Sequence, residues 1–515
     1  MTTPDVPRSL WPSAPPAPDA LAGGLTSADP VTALAAALVT SAVTAPSAST
    51  VTDPSTVPGT DSLAAPATGP VTADPAAQAA SSAAHPVQST IPIAQPTHLP
   101  TAPVGLPGQP APFSPELARR DFPILHRTVN GHPLVWLDNG ATTQKPRQVI
   151  ETLAAFYGTA NSNIHRGAHT MAREATEAYE AGRAAVAQFL GAASPDDIVF
   201  VRGTTEGINL VAQTWGRANL GPGDDILVPV LEHHSNIVPW QLIAKETRAR
   251  VVPVPLQPDG QIDLNAYADL LSMRTQLVAV SQASNVLGTV PPVREMTALA
   301  HRYGAKVLVD GAQAVAHFPV DVQDLDADFY VFSGHKLFAP TGIGALYAKP
   351  EVMRNMAPWQ GGGNMIESVD FTRTTYAPVP HLLEAGTGHI SGVVGLLSAL
   401  NWLTSFDRDA IAAYETSLMA YAQQALATVP GLELLGSAPD RIAVLTFTLA
   451  GHDPSTIADW LDRDGIAIRA GHHCAQPALA HYGLESAARA SLALYNTSEE
   501  VDKLVASLHR LQQAA

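Results

Sequence analysis

The sequence is poor in three things, and each scarcity removes a class of function. It has one cysteine, Cys474, in 515 residues. No disulfide can form within the chain, and one thiol cannot build a multi-cysteine zinc or iron–sulfur site, so no metal site is expected. A reducing compartment, the cytoplasm, fits that usage. Basic residues are scarce: 29 Lys and Arg face 46 Asp and Glu, for a formal net charge of −17. Nucleic acid needs a basic face, so no nucleic-acid partner is expected. No apolar run approaches the roughly 18 residues of a membrane span. No basic stretch followed by an apolar core lies near Met1. Neither a membrane partner nor a secretory signal is therefore expected.

What is present divides into two materials. Residues 1–112 hold 21 of the 44 prolines, one basic residue (Arg8), six aspartates and one aromatic (Trp11), with Ala, Thr and Ser supplying most of the rest. Such a segment cannot bury enough apolar surface to offset its ordering entropy, and it reads as a disordered tail. Apolar islands interrupt it. Pro30 to Val39 follows Asp29 and suits a short helix; Ile91 to Ile93, Leu99 and Val104 to Leu106 make a second group. Sparse islands on a tether suit either a passive linker or a docking segment.

From Phe113 the pattern is that of a packed domain. Val135 to Asp138 reads as a strand, Gln148 to Tyr157 and Thr170 to Leu190 as helices. Short apolar runs then alternate with helical stretches: Ile198 to Val201, Ile226 to Pro229, Leu277 to Val280, Val307 to Val309 and Phe329 to Phe332. This rhythm predicts an α/β fold with a mainly parallel sheet covered on both faces, and ligands beyond the carboxyl ends of its strands. From about Ser391 the pattern changes to a long helical region, Val393 to Leu426, strands at Ile442 to Phe447 and Ile466 to Ile468, and a terminal helix, Ser498 to Ala514. The expected division is a tail (1–112), a large domain (113–390) whose first segment packs on the small one, and a smaller α+β domain (391–515).

The strand ends carry the chemistry. Lys336 follows a buried apolar strand in Ser333-Gly-His-Lys336. A desolvated lysine with a lowered pKa can form a Schiff base and move a proton. A pyridoxal 5'-phosphate site needs such a lysine, an acid for the pyridine nitrogen and donors for a phosphate. Asp310 follows Val307 to Val309, and Gln313 lies three residues on, within reach of the phenolic oxygen. Thr204 and Thr205 open a helix, where free N–H groups favour a phosphate, and Ser333 and His335 would complete that cradle. His233 is placed to stack on the ring. Each cluster alone has a bland reading, as a turn, a helix start or a structural histidine; together they are hard to explain as packing.

The chain from Phe113 onward resembles the group II, SUF-type cysteine desulfurases, which are fold-type I pyridoxal-phosphate enzymes like aspartate aminotransferase. The stretches that carry this include Arg202-Gly-Thr-Thr-Glu-Gly-Ile-Asn209, Glu232-His-His-Ser-Asn236, Ser284-Asn285, Ser333-Gly-His-Lys336, Glu384-Ala-Gly-Thr387 and Arg469-Ala-Gly-His-His-Cys474. The resemblance implies a homodimer in which Thr387 reaches the neighbouring subunit's cofactor. It implies Arg489 for the substrate carboxylate, Asn285 for cofactor and carboxylate, Arg469 near the substrate and His165 at the site's edge. L-Cysteine would be converted to L-alanine, Lys336 moving the proton and Cys474 taking the sulfur as a persulfide. With no second thiol in the chain, that sulfur must leave to a SufE-like or SufU-like acceptor protein or to a small thiol, for iron–sulfur cluster assembly or storage. Selenocysteine lyase and kynureninase-like activities use related chemistry and stay open. The tail resembles the extensions that load some desulfurases into encapsulin shells.

Overall fold

The computed structural model describes residues 113–514. The tail, its islands and its expected disorder lie outside the described residues.

The described chain is built around a seven-stranded sheet. Its strands are β1 (Ile198–Val201), β2 (Asp225–Pro229), β3 (Arg250–Val254), β4 (Thr275–Ser281), β5 (Lys306–Asp310), β6 (Phe329–Ser333) and β7 (Gly344–Ala348), in spatial order β1-β7-β6-β5-β4-β2-β3. Only β7 runs against its neighbours, so the sheet is mainly parallel, as expected. Alternate side chains go to opposite cores, as a pleated strand requires. Tyr330 and Phe332 of β6, with Val307 and Val309 of β5, enter one apolar cluster. Phe329, Val331 and Leu308 enter the other, with Trp215 and Trp240. Burying such side chains stabilises the fold by about 1.5–3 kcal/mol each.

A second, four-stranded antiparallel sheet comprises β8 (Leu432–Leu434), β9 (Val444–Leu449), β10 (Arg469–Gly471) and β11 (Ala487–Ser491), ordered β8-β9-β11-β10. The terminal helix Ser498–Gln513 covers it. The run at Val135 is a strand of two residues, Val135–Trp136, and pairs in parallel with Ile466–Ala467 beside this smaller sheet.

The expected helical region from Val393 to Leu426 is formed by two helices, Ile390–Thr404 and Arg408–Leu426. The reason is local. The Asp407 carboxylate accepts from the N–H groups of Asp409 and Ala410, capping the second helix where the apolar pattern alone reads through. The first of the pair packs on helices Thr170–Leu190 and Arg147–Ala155; the second packs on the terminal helix.

Candidate active site

Five of the parallel strands deliver their next residues to one cavity of about 200 Å³. β1 leads through Gly203 to Thr204 and Thr205, β2 to His233, β4 to Asn285, β5 ends in Asp310, and β6 leads to Lys336. The smaller sheet supplies Arg469, Cys474 and Arg489. Gln313, Ser333 and His335 complete the set of expected residues that line it.

The floor is tightly built. Asp310 is 4% exposed. Burial pushes its carboxyl above the ordinary range; an N–H from Ala312 at 2.9 Å and the nearby Lys336 oppose that rise. Lys336 is lowered to about 8 by burial, with Asp310 resisting. The two groups therefore face each other as a buried acid and a lysine that gives up its proton more readily than usual. Burial holds His233 down at about 3 and His335 at about 4, with Lys336 adding to both, so both imidazoles are neutral at pH 7. The Nδ1 of His233 accepts the Ser235 N–H at 3.0 Å, which leaves its proton on Nε2.

One end of the cavity is an anion cradle. Helix Thr204–Val211 begins there, and its first N–H, on Thr204, donates to the Ser333 hydroxyl at 2.8 Å. That hydroxyl donates onward to the Thr204 Oγ1 at 2.9 Å. Gly203 has φ +156°, and a Cβ there would stand 3.0 Å from the Ser333 Oγ, close enough to push that hydroxyl aside. A helix start with two hydroxyls fits a phosphate.

At the other end lies a guanidinium. Arg489 is 2% exposed. It donates to the Asn285 carbonyl at 2.8 Å and to Asp138 Oδ1 at 3.0 Å, while its Nε has no partner. Asp138 Oδ2 takes Arg469 at 3.3 Å. One carboxylate thus holds both arginines beside the cavity. In the sequence Asp138 marks only the end of a short run, and nothing local reveals its two partners.

Cys474 sits on a tight loop after β10, with φ +51° at His473 and +55° at Cys474. Its N–H donates to His472 Nδ1 at 3.0 Å, and its carbonyl accepts the His234 N–H at 2.7 Å. Asn285 Nδ2 donates to the His473 carbonyl at 2.6 Å. The backbone of the loop that bears the thiol is therefore tied to loops of the larger sheet. Gln313 donates to the Gly140 carbonyl, at 2.7 Å.

Two expected residues do not line this cavity. His165 contacts Glu180 at 2.9 Å and Asn364 at 3.3 Å. Thr387 is exposed, just after Gly386 with φ +85°.

Comparison with known proteins places this geometry. Residues 135–504 match the family described as aminotransferase class-V. A cysteine desulfurase of Synechococcus elongatus is 52% identical over 439 residues, 85% of this chain and 70% of that protein. One from Klebsiella pneumoniae is 52% identical over 402 residues, 78% of this chain and 99% of that protein. The crystal structure of the cysteine desulfurase CsdA from Escherichia coli superposes with a TM-score of 0.74 at 43% identity, covering 78% of this chain and all of that one. The chain belongs to the aminotransferase class-V family, among its cysteine desulfurases.

Proposed function

We propose that this chain is a pyridoxal-phosphate-dependent enzyme that converts L-cysteine to L-alanine and carries the released sulfur on Cys474. The observation that carries this is one cavity lined by Lys336, Asp310 and Cys474. The residues present fit the cofactor. A Cβ at Gly203 would crowd the Ser333 hydroxyl in the cradle, two hydroxyls and a helix start are grouped there, and a buried carboxyl lines the same cavity.

Lys336 would hold the cofactor's aldehyde carbon, Asp310 its ring nitrogen, and Thr204, Thr205, Ser333 and His335 its phosphate. His233 would lie on the ring face, and Gln313 would meet the phenolic oxygen. When bound, pyridoxal phosphate supplies an electron sink for negative charge at the substrate Cα. Arg489 and Arg469 bind the substrate carboxylate, with Asn285 beside them; a planar fork suits that anion. Lys336, poised near neutrality, takes and returns the substrate proton. The Cys474 thiolate bonds to the substrate sulfur while the Cβ–S bond breaks. That bond's electron pair stays with the carbon, which gains the thiol's proton by way of Lys336. The products are a Cys474 persulfide and L-alanine.

Group II, SUF-type membership is part of the same reading. It is supported by Arg469-Ala-Gly-His-His-Cys474, which runs from β10 into a short loop that contacts from the larger sheet pin. Thr387, exposed outside its own chain's cavity, suits a homodimer in which it reaches the neighbouring site, with His165 at the margin. The folded part divides functionally into a lobe on the seven-stranded sheet and a lobe on the four-stranded sheet. Cys474 passes its sulfur to an acceptor protein or a small thiol, and residues 1–112 dock the enzyme in a protein shell.

The test is an absorbance spectrum of the purified protein with and without L-cysteine, with alanine measured. Cofactor absorbance that L-cysteine perturbs, with alanine released, supports the reading. Unperturbed absorbance and no alanine refute it.

A further inference from the structure

The residues around Cys474 do more than present a thiol. His234, from the loop after β2, and His472, from the loop after β10, lie with ring centroids 5.5 Å apart, tilted by 30°. One ligand atom from each, with the Cys474 sulfur, falls within 4.8 Å of the others. We propose that His234, His472 and Cys474 form a binding site for a soft divalent metal ion of the zinc class. The ion takes the Cys474 thiolate and so competes with its use as the sulfur acceptor.

The donor set favours this class. Two imidazoles and a thiolate suit zinc over magnesium or calcium, which prefer oxygen. Zinc bonds of about 2.0–2.1 Å to nitrogen and 2.3 Å to sulfur put tetrahedral donors roughly 3.3–3.8 Å apart. The site therefore has to close by about an ångström. His472 is exposed and free to turn, while Cys474 and His234 are only partly buried.

The scaffold is already joined. The His234 N–H to Cys474 carbonyl bond at 2.7 Å ties the two ligand-bearing loops together. His472 Nδ1 now accepts the Cys474 N–H at 3.0 Å, and His234 Nε2 faces the Gln476 N–H at 3.4 Å. Ligation through these nitrogens replaces both contacts, the second of which is already long for a hydrogen bond. The two cations nearby, Arg469 and Arg489, are both paired to Asp138, which limits their repulsion of a metal. On binding, the Cys474 thiol releases its proton to solvent and donates an electron pair; nothing is oxidised or reduced. Three protein ligands leave a fourth position for water.

The competition rests on the desulfurase reading; the binding does not. Purified full-length holoenzyme is titrated with Co2+, a coloured stand-in for zinc, and then with Zn2+. The expected result is one Co2+ per chain, with the visible absorption of a tetrahedral thiolate-bound ion that Zn2+ abolishes. Cys474→Ser removes that absorption, and His234→Ala and His472→Ala each weaken Co2+ binding at least fivefold. Zn2+ inhibits sulfide release, and its half-inhibiting concentration rises at least fivefold in His472→Ala, measured against that variant's own uninhibited rate. Because His472 is exposed, its removal leaves the core intact, and the circular dichroism spectrum checks this. No thiolate–cobalt absorption in the unaltered protein, or a smaller effect in His472→Ala, overturns the site. Metal binding without sulfide release from L-cysteine keeps the site and retires the desulfurase reading; sulfide release without metal binding does the reverse.

Discussion

The backbone N–H of His234 donates a 2.7 Å hydrogen bond to the carbonyl of Cys474. It joins a loop of the seven-stranded sheet to a loop of the four-stranded one, 240 residues apart in sequence by subtraction of their numbers. Lys336 and Asp310 come from the first sheet and the thiol from the neighbourhood of the second. Their common cavity therefore depends on contacts of this kind, supported by Asn285 on the His473 carbonyl.

Lys336→Ala removes the group assigned to move the substrate proton. Alanine formation from L-cysteine is expected to fall by about 10²–10⁴-fold, the usual worth of a positioned acid–base group. Steady-state alanine release against the unaltered enzyme measures it, and a loss under tenfold speaks against the assignment.

Arg489→Lys keeps the charge and loses the fork that spans the Asn285 carbonyl and Asp138. A charge-assisted hydrogen bond is worth about 1.5–3 kcal/mol, so KM for L-cysteine is expected to rise about 10–100-fold. Asp138→Asn should act in the same direction, since it loosens both arginines. The kinetics of the two single variants and the double variant give their coupling.

Glu232 is wholly buried and holds Ser281 and Asn236. Burial pushes its carboxyl from 4.5 up to about 8. Below pH 4.5 it is protonated in the folded and unfolded chains alike. Between pH 4.5 and about 8 the unfolded chain loses the proton and the folded chain keeps it, so stability declines by up to about 1.4 kcal/mol per pH unit. Glu232→Gln should flatten that decline in urea midpoints measured from pH 5 to 8. An identical slope in the variant counts against the buried, protonated carboxyl.

Arg183 makes a two-pronged pair with Glu384, at 2.7 and 3.0 Å, and Glu384 also accepts the Phe200 N–H of β1. The pair is buried, so Arg183→Met strands a carboxylate and should cost about 3–5 kcal/mol in denaturant unfolding. Thr387 lies three residues after Glu384, so the variant also tests what anchors its turn.

Much of this was legible because parallel strands buried on both faces read as short apolar runs. Val307 to Val309 announces β5, and Asp310 follows at its end; Phe329 to Phe332 does the same for β6 and Lys336. The antiparallel β7, wedged between β1 and β6, was not legible, because pairing partners leave no local trace. Nor was Asp138: its two arginines lie more than 300 residues away, and a lone aspartate after a short strand looks like a turn. The helical region from Val393 to Leu426 was legible, but its break at Asp407 was not, because the apolar pattern runs through it and the capping geometry separates the helices. The cluster of His234 with His472 was hidden for the same reason as Asp138. Each histidine is visible in its own motif, and only the fold puts them together.

The central claim is that Cys474 receives the sulfur of L-cysteine, and peptide mass spectrometry tests it most directly. The purified enzyme is mixed with L-cysteine, quenched within one turnover, alkylated and digested, with alanine measured in the same sample. The account predicts one extra sulfur on the peptide bearing Cys474, in step with alanine, and neither in Cys474→Ala. Alanine formed at an undiminished rate in Cys474→Ala, or no extra sulfur on Cys474 while alanine accumulates, would contradict it.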